Sequence, residues 1–188
     1  MKKNIDEKWL RLDEVENTID NLEMVEFFLR EIKSSKKWKW VTIATHMALY
    51  GFVICAANNP PYQLVIKYSK RYPEGRLISL NEAIEFLKVP IPPEAPNEFF
   101  PVLKLTSEQE IAINSMAKEF RDKFEHYRPL GWSIAEACFP KIIHEVIKVI
   151  RFIALESKRV NTSIYDEERI IIAIERIEIL LKKYIFED

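Results

Sequence analysis

The chain has 188 residues, of which 48% are hydrophobic and only three are glycine, features that point to an all-helical protein with one core. Its net charge of −1 excludes nucleic-acid binding through overall charge, so any such binding must come from a local patch. Two cysteines are too few for a disulfide framework, and the charged residues 1–26 do not resemble a signal peptide. We therefore expect a cytoplasmic protein.

Two helices are predicted in the first third of the chain. Apolar residues recur at spacings of three and four through residues 12–33, which predicts the first helix. Residues 37–57 predict a second helix, which Pro60 and Pro61 bring to an end. Its residues 40–57 carry no formal charge, a length that borders on a membrane span. A helix buried on most sides of a bundle gives the same pattern, and we expect no membrane insertion.

An irregular insertion is predicted near residues 58–106. Residues 62–78 fit a short helix and an extended segment equally well. Residues 79–82 form a capping box, Ser-Leu-Asn-Glu, which opens a short helix to about Leu87. Residues 89–101 hold five of the ten prolines and predict a surface loop.

Three further helices are predicted in the second half. A capping box at residues 107–110 opens the helix that carries the candidate chemistry, and a third box at residues 133–136 opens a helix to about residue 158. An isoleucine-rich helix over residues 166–184 completes the chain. The sequence thus predicts a single domain over residues 1–188, an all-α up-and-down bundle of four to five long helices.

The candidate catalytic residues are Arg121, Asp122 and His126, at the end of the third long helix. Arg121 can bind a phosphate through two parallel hydrogen bonds. Asp122 precedes His126 by four residues, so it can hold one imidazole nitrogen and leave the other for proton transfer. The negative end of the helix dipole favours the charged imidazolium. We expect no metal or cofactor at this site.

A non-catalytic interpretation of the same residues is also open. Arg121 can pair with Glu125 on a solvated face, and Asp122 with His126, without any reaction. His46, in the middle of an apolar helix, fits a hydrogen-bonded core histidine better than a ligand. Lysines and tryptophans alternate in residues 36–40, which predicts either an RNA contact or a solvated helix start with buried tryptophans.

Two segments carry a resemblance to a known family. Residues 121–126 resemble the signature of the HEPN superfamily, in which Arg and a polar residue precede His by a few positions. Residues 120–133, which end in His-Tyr-Arg-Pro-Leu-Gly-Trp-Ser, are similar to a bacterial HEPN-like group, and residues 38–49 are similar to the long second helix of that group. HEPN proteins are small helical bundles, and many are metal-independent ribonucleases.

The resemblance implies a site shared between two subunits. In HEPN ribonucleases the motif helices of a homodimer face each other, so both Arg/His pairs form one cleft. Arg121 would then stabilise the transition-state charge, and His126 would be the general acid or base for attack by the ribose 2′-hydroxyl. Asp122 occupies the polar position after the arginine. The implied function is RNA binding and cleavage in a defence or toxin–antitoxin setting, with RNA and a protein antitoxin as partners. The alternative is a non-catalytic helical dimerisation or interaction module.

Overall fold

The computed structural model of the chain is built mainly from helices, as the sequence predicts. It describes residue 10 and residues 12–58, 65–90, 100–125 and 131–185. The helices in these ranges pack around a common apolar core, and one small hairpin is added to them. The prediction of a mainly helical fold is therefore confirmed.

The first two helices form a tightly packed antiparallel pair. Helix α1 (Glu14–Glu31) and helix α2 (Lys37–Ala57) follow the predicted bounds closely. The Asp13 side chain caps α1 by accepting a backbone N–H of the first turn at 2.8 Å. At Gly51 an added Cβ would lie only 2.1 Å from Thr18 Oγ1. The glycine therefore allows the two helices to approach closely.

Helix α2 is the central helix of the core. Among the described residues, it alone is long and apolar enough to cross a membrane, but 61% of that apolar stretch is buried inside the protein. It contacts α1 and four further helical stretches of the chain. This enclosure explains the uncharged composition and favours a core helix over a membrane span.

An antiparallel hairpin forms within residues 62–78, for which the sequence predicts either a short helix or an extended segment. Strand β1 (Ile66–Ser69) pairs with strand β2 (Tyr72–Leu77), so these residues are extended rather than helical. Gly75 in β2 has φ of +87°, a conformation that side chains other than glycine rarely adopt. The hairpin is tied to α2 because the Tyr50 hydroxyl donates to the Ile78 carbonyl.

The short helix after the hairpin begins at the predicted capping box. In helix α3 (Leu80–Leu87) the Ser79 hydroxyl accepts the Glu82 backbone N–H, and the Glu82 carboxylate accepts the Ser79 backbone N–H at 2.8 Å. The hydrogen bond from Lys67 and those from Ser79 lower the pKa of Glu82 to about 2. Of the predicted loop over residues 89–101, residues 91–99 lie outside the described residues, so the loop stays a prediction.

The candidate catalytic residues belong to a helical segment over residues 107–125, which we call the motif helix. It consists of helix α4 (Ser107–Asn114), a π-helical stretch (Ser115–Arg121) and the single turn α5 (Asp122–Glu125). The sequence predicts the helix but not its π-helical part. In that stretch Met116 and Phe120 stay buried in the core.

The predicted start of the motif helix is wrong by one residue. Thr106, not Ser107, is the N-cap residue, because its backbone is extended while Ser107 is already helical. The Thr106 hydroxyl accepts the Gln109 backbone N–H at 3.2 Å, and the Gln109 side chain accepts the Thr106 N–H at 3.0 Å. The capping box is therefore Thr106 with Gln109.

The predicted helix start at Ser133 is wrong. Residues 131–135 have no regular structure, and helix α6 (Cys138–Arg151) begins four residues later than expected, with Ala137 at the N-cap position and no side-chain cap. Pro140 explains the difference, because proline is tolerated in the first turn of a helix but would clash with the preceding turn of a helix that began at Ser133. Helix α6 continues into a second π-helical stretch, Phe152–Glu156, close to the predicted end.

The last helix packs against α1 through the predicted isoleucine face. Helix α7 (Ile164–Ile185) buries its core-facing residues as expected, namely Ile170, Ile174, Ile177 and Leu181. Ile171, the next isoleucine in the sequence, is 38% exposed. Contacts of α7 with both α1 and α6 close the bundle.

Candidate functional site

Arg121 and Asp122 lie where the π-helical stretch passes into the last α-helical turn. Arg121 Nη1 donates to Asp122 Oδ1 at 3.1 Å, and Arg121 Nε lies 2.6 Å from Glu125 Oε2. The Nε–H does not point at the Glu125 carboxylate, so this second contact is an ion pair without an aligned hydrogen bond. The pairing of Arg121 with Glu125 that the non-catalytic interpretation predicts is therefore present.

The third candidate, His126, lies outside the described residues, as do residues 127–130. The predicted hydrogen bond between Asp122 and His126 therefore stays a prediction. The motif helix itself is described as far as Glu125. The structure thus places two of the three candidate residues, and these two contact each other.

The π-helical stretch has a direct effect on where Arg121 lies. A π-helical turn holds more residues than an α-helical turn, so it rotates the side chains that follow it around the helix axis. Phe120, the neighbour of Arg121, remains buried against Phe139 with ring centroids 4.9 Å apart. Arg121 and Asp122, one position further on, are only half-buried. Such stretches occur frequently at functional sites.

His46 of α2 lies close enough to Arg121 and Asp122 for their charges to act on it. Burial, with a smaller contribution from the positive charge of Arg121 and against the opposing charge of Asp122, lowers the pKa of His46 to about 4. The imidazole is therefore neutral at neutral pH. One turn earlier on α2, the fully buried Thr42 Oγ1 has no hydrogen-bond partner among the described residues.

His46 lies near the candidate residues in the structure, although the sequence does not predict that it does. Its position in an apolar helix indicates a core histidine, and no local spacing connects it with Arg121. The resemblance carried the only usable signal, because residues 38–49 and 120–133 are its two segments. The structure packs α2 directly against the π-helical stretch, so these segments are neighbours in space.

An open groove of about 750 Å³ lies between the start of α2, the end of the motif helix and the irregular segment before α6. We call it the basic groove, because its charged side chains are three lysines and one carboxylate. Those charged residues are Lys36, Lys39, Lys123 and Glu136. Trp40 and Trp132 also line it, and each is 44% exposed.

The tryptophans at the start of α2 differ in burial. Trp38 is only 3% exposed and stacks on Phe139, with ring centroids 5.7 Å apart and planes 6° from parallel. Trp40 instead faces the groove, where Lys39 Nζ lies 4.8 Å from its ring centroid. The expectation that both tryptophans are buried is therefore correct for Trp38 and wrong for Trp40.

Trp132 stands directly before Ser133, the position of a hydrophobic staple if a helix began there. A hydrophobic staple requires a helix that starts at Ser133, and none starts there. Trp132 packs instead on Phe124 of the motif helix, with ring centroids 5.3 Å apart. Phe124 in turn stacks on Phe139 at 6.3 Å, so an aromatic cluster underlies the groove.

The described part of the chain contains no group of three or more His, Cys, Asp or Glu side chains arranged to hold a metal ion. Comparison with protein-family models, with curated proteins and with solved structures finds no match to this chain. Any statement about the activity therefore rests on the residues described above and on the resemblance of the two segments.

Proposed function

We propose that this chain is a HEPN-like cytoplasmic homodimer that binds RNA and cleaves it through a composite Arg/His site. One observation carries the proposal. The described parts of the two segments with the resemblance pack against each other, and both of them line the basic groove. Lys123 and Phe124 line the groove and follow Asp122 directly in the last turn of the motif helix. A strand in the groove would therefore contact the helical turn that carries Asp122.

In this proposal each candidate residue has one task. Arg121 stabilises the charge that develops on the phosphorus oxygens in the transition state. His126 transfers a proton to or from the reacting oxygen, and Asp122 orients its imidazole. The Arg121–Glu125 ion pair must open first, and a phosphate competes for the same guanidinium. Dimerisation brings two such sets together and excludes water from them.

A second candidate function is a non-catalytic helical dimerisation or interaction module, which binds a protein partner such as an antitoxin. The observation in its favour is the neutralisation of Arg121 by two carboxylates, those of Asp122 and Glu125. Both acids repel a phosphate as well as holding the arginine. The two functions differ in whether an RNA substrate displaces these carboxylates.

The test is cleavage of a labelled single-stranded RNA in EDTA. If the proposal is correct, the wild-type protein leaves a 2′,3′-cyclic phosphate, and His126→Ala loses about 10²- to 10⁴-fold in rate. Arg121→Ala loses about 10²- to 10³-fold, because it removes stabilisation of the transition state. Arg176→Ala, an exposed arginine on α7, is the matched control and should keep the wild-type rate.

Two outcomes would replace the proposal with the non-catalytic module. One is no cleavage by the wild-type protein, and the other is equal cleavage by the wild-type protein and the variants of Arg121 and His126. Light scattering tests the assembly separately. It should give the mass of two chains at tens of micromolar, and a monomer at that concentration contradicts the composite site.

A further inference from the structure

We infer that the basic groove is a binding site for a single-stranded segment of RNA, with bases stacked on Trp40 and Trp132 and phosphates held by the three lysines. The inference rests on the proposed function for the choice of RNA as ligand. It does not depend on cleavage, because the groove can bind a strand whether or not Arg121 and His126 react.

The charges in the groove fit a polyanion. None of the ion pairs between described residues uses Lys36, Lys39 or Lys123. Glu136 is the one carboxylate that lines the groove. The chain as a whole is slightly acidic, so this concentration of available lysines is a local feature. Lysines that neutralise phosphates release counterions, which drives binding.

The exposed tryptophans fit stacked bases. Trp132 is supported by Phe124, and Trp40 by Phe28, with ring centroids 6.1 Å apart. This packing behind each indole limits its rotation, so the exposed faces are already ordered before a ligand binds. Stacking on an aromatic ring tolerates any base, because every base has a π-face.

The shape of the groove favours a single strand over a duplex or a peptide. A volume of about 750 Å³ suits a few unpaired nucleotides with exposed bases. Bases in a duplex are stacked on one another and cannot reach Trp40 or Trp132. An acidic peptide would pair with the lysines but would leave the two indole faces uncovered, and the groove offers no strand edge for it to extend.

The experiment measures binding of a short oligouridine to the full-length chain through quenching of tryptophan fluorescence. The His126→Ala variant is used throughout, so that cleavage cannot consume the ligand. We expect Trp40→Ala and Trp132→Ala each to raise Kd about 10-fold, the usual scale for the loss of one stacked base. Trp40→Phe should recover part of the affinity. Tyr165→Ala, which removes an exposed aromatic of α7, is the control and should leave Kd unchanged.

A second series replaces Lys39 and Lys123 by glutamine and measures Kd against salt concentration. Each change should lower the slope of log Kd against log salt by about 0.7, the value for one phosphate contact on a single strand. Lys183→Gln, an exposed lysine on α7, should keep the wild-type slope. Circular dichroism checks that all variants remain folded.

The outcomes separate this inference from the proposed function. Cleavage by the wild-type chain that is unaffected by Trp40→Ala and Trp132→Ala overturns the inference and leaves the proposed function standing. Quenching that depends on both tryptophans, without cleavage, supports the inference and removes the enzymatic function. Tighter binding of duplex RNA or of oligoglutamate than of oligouridine also overturns the inference.

Discussion

The α1–α2 pair and the end of the motif helix represent two different uses of helical structure. In the pair, both helices are regular, their facing side chains are buried, and close approach depends on one glycine, Gly51. At the end of the motif helix, a π-helical stretch precedes a single α-helical turn, and the two tryptophans of the neighbouring groove are exposed. The first region stabilises the fold, whereas the second carries the groove and the candidate residues.

The difference shows where departures from regular structure are tolerated. Arg121 and Glu125 are held in an ion pair at the surface, which contributes little to stability, so this region is free to exchange the contact for a ligand. Phe120 and Phe139 anchor the same region in the core. This region therefore combines a buried aromatic contact, which holds it in place, with a surface ion pair that can open. That combination suits a binding surface better than a purely structural one.

Replacement of Gly51 by alanine should have the largest effect on stability. Alanine normally stabilises a helix relative to glycine, but here its Cβ would lie 2.1 Å from Thr18 Oγ1. We expect the free energy of unfolding to fall by about 1–3 kcal/mol, the usual cost of overpacking. Urea denaturation followed by circular dichroism measures the change.

A double variant identifies the cause of that loss. Thr18→Ala removes the Oγ1 and Cγ2 atoms that the new methyl group meets, so Gly51→Ala in the Thr18→Ala background should recover most of the lost stability. Equal losses in both backgrounds would mean that α1 and α2 do not approach each other at this point.

Replacement of two serines should have smaller effects on stability. Ser79 stands at an observed helix start, and Ser133 stands at a predicted helix start that the structure does not contain. Ser79→Ala should lower the free energy of unfolding by about 1 kcal/mol, because Ser79 accepts a hydrogen bond at the start of α3. Ser133→Ala should change it by less than about 0.5 kcal/mol, since Ser133 is exposed and caps no helix. Thermal or chemical denaturation measures the loss of stability in each variant. A larger loss for Ser133→Ala than for Ser79→Ala would contradict the observed start of α6.

These serines also show how far the sequence determines the structure. Ser79 and Ser133 both begin a capping-box pattern, and only the first pattern is used. A cap is a local signal, and it fails at Ser133 because Pro140 and the burial of Phe139 set the start of α6. Helix α2 was predictable at both ends because its composition is uniform and prolines follow it.

Other features depend on contacts that no local pattern contains. The apolar spacing of the motif helix suits an α-helix and a π-helix almost equally, so the π-helical stretch Ser115–Arg121 could not be predicted. The exposure of Trp40 and the position of Trp132 on Phe124 depend on segments far apart in sequence. For the same reason, Arg121 and Asp122 could be identified as candidates, while their neighbour His46 could not.

The charge state of His46 makes the stability of the fold depend on pH, without an effect at neutral pH. A histidine with a pKa of about 4 is neutral in the folded protein, whereas the usual value for the unfolded chain is 6.5. The unfolded chain therefore binds more protons between these values. The resulting contribution to stability is present above pH 6.5 and is lost as the pH falls towards 4. An NMR titration of the imidazole protons should place the midpoint for His46 near pH 4.

Two variants test whether Arg121 and Asp122 are the neighbours that act on His46. Arg121→Gln removes a positive charge that disfavours the imidazolium, so the pKa of His46 should rise. Asp122→Asn removes a negative charge that favours it, so the pKa should fall. Neither change should alter the free energy of unfolding at neutral pH appreciably, because His46 is neutral there. Opposite shifts would establish that α2 and the end of the motif helix share one electrostatic site, whereas an unchanged midpoint in both variants would separate His46 from the candidate residues.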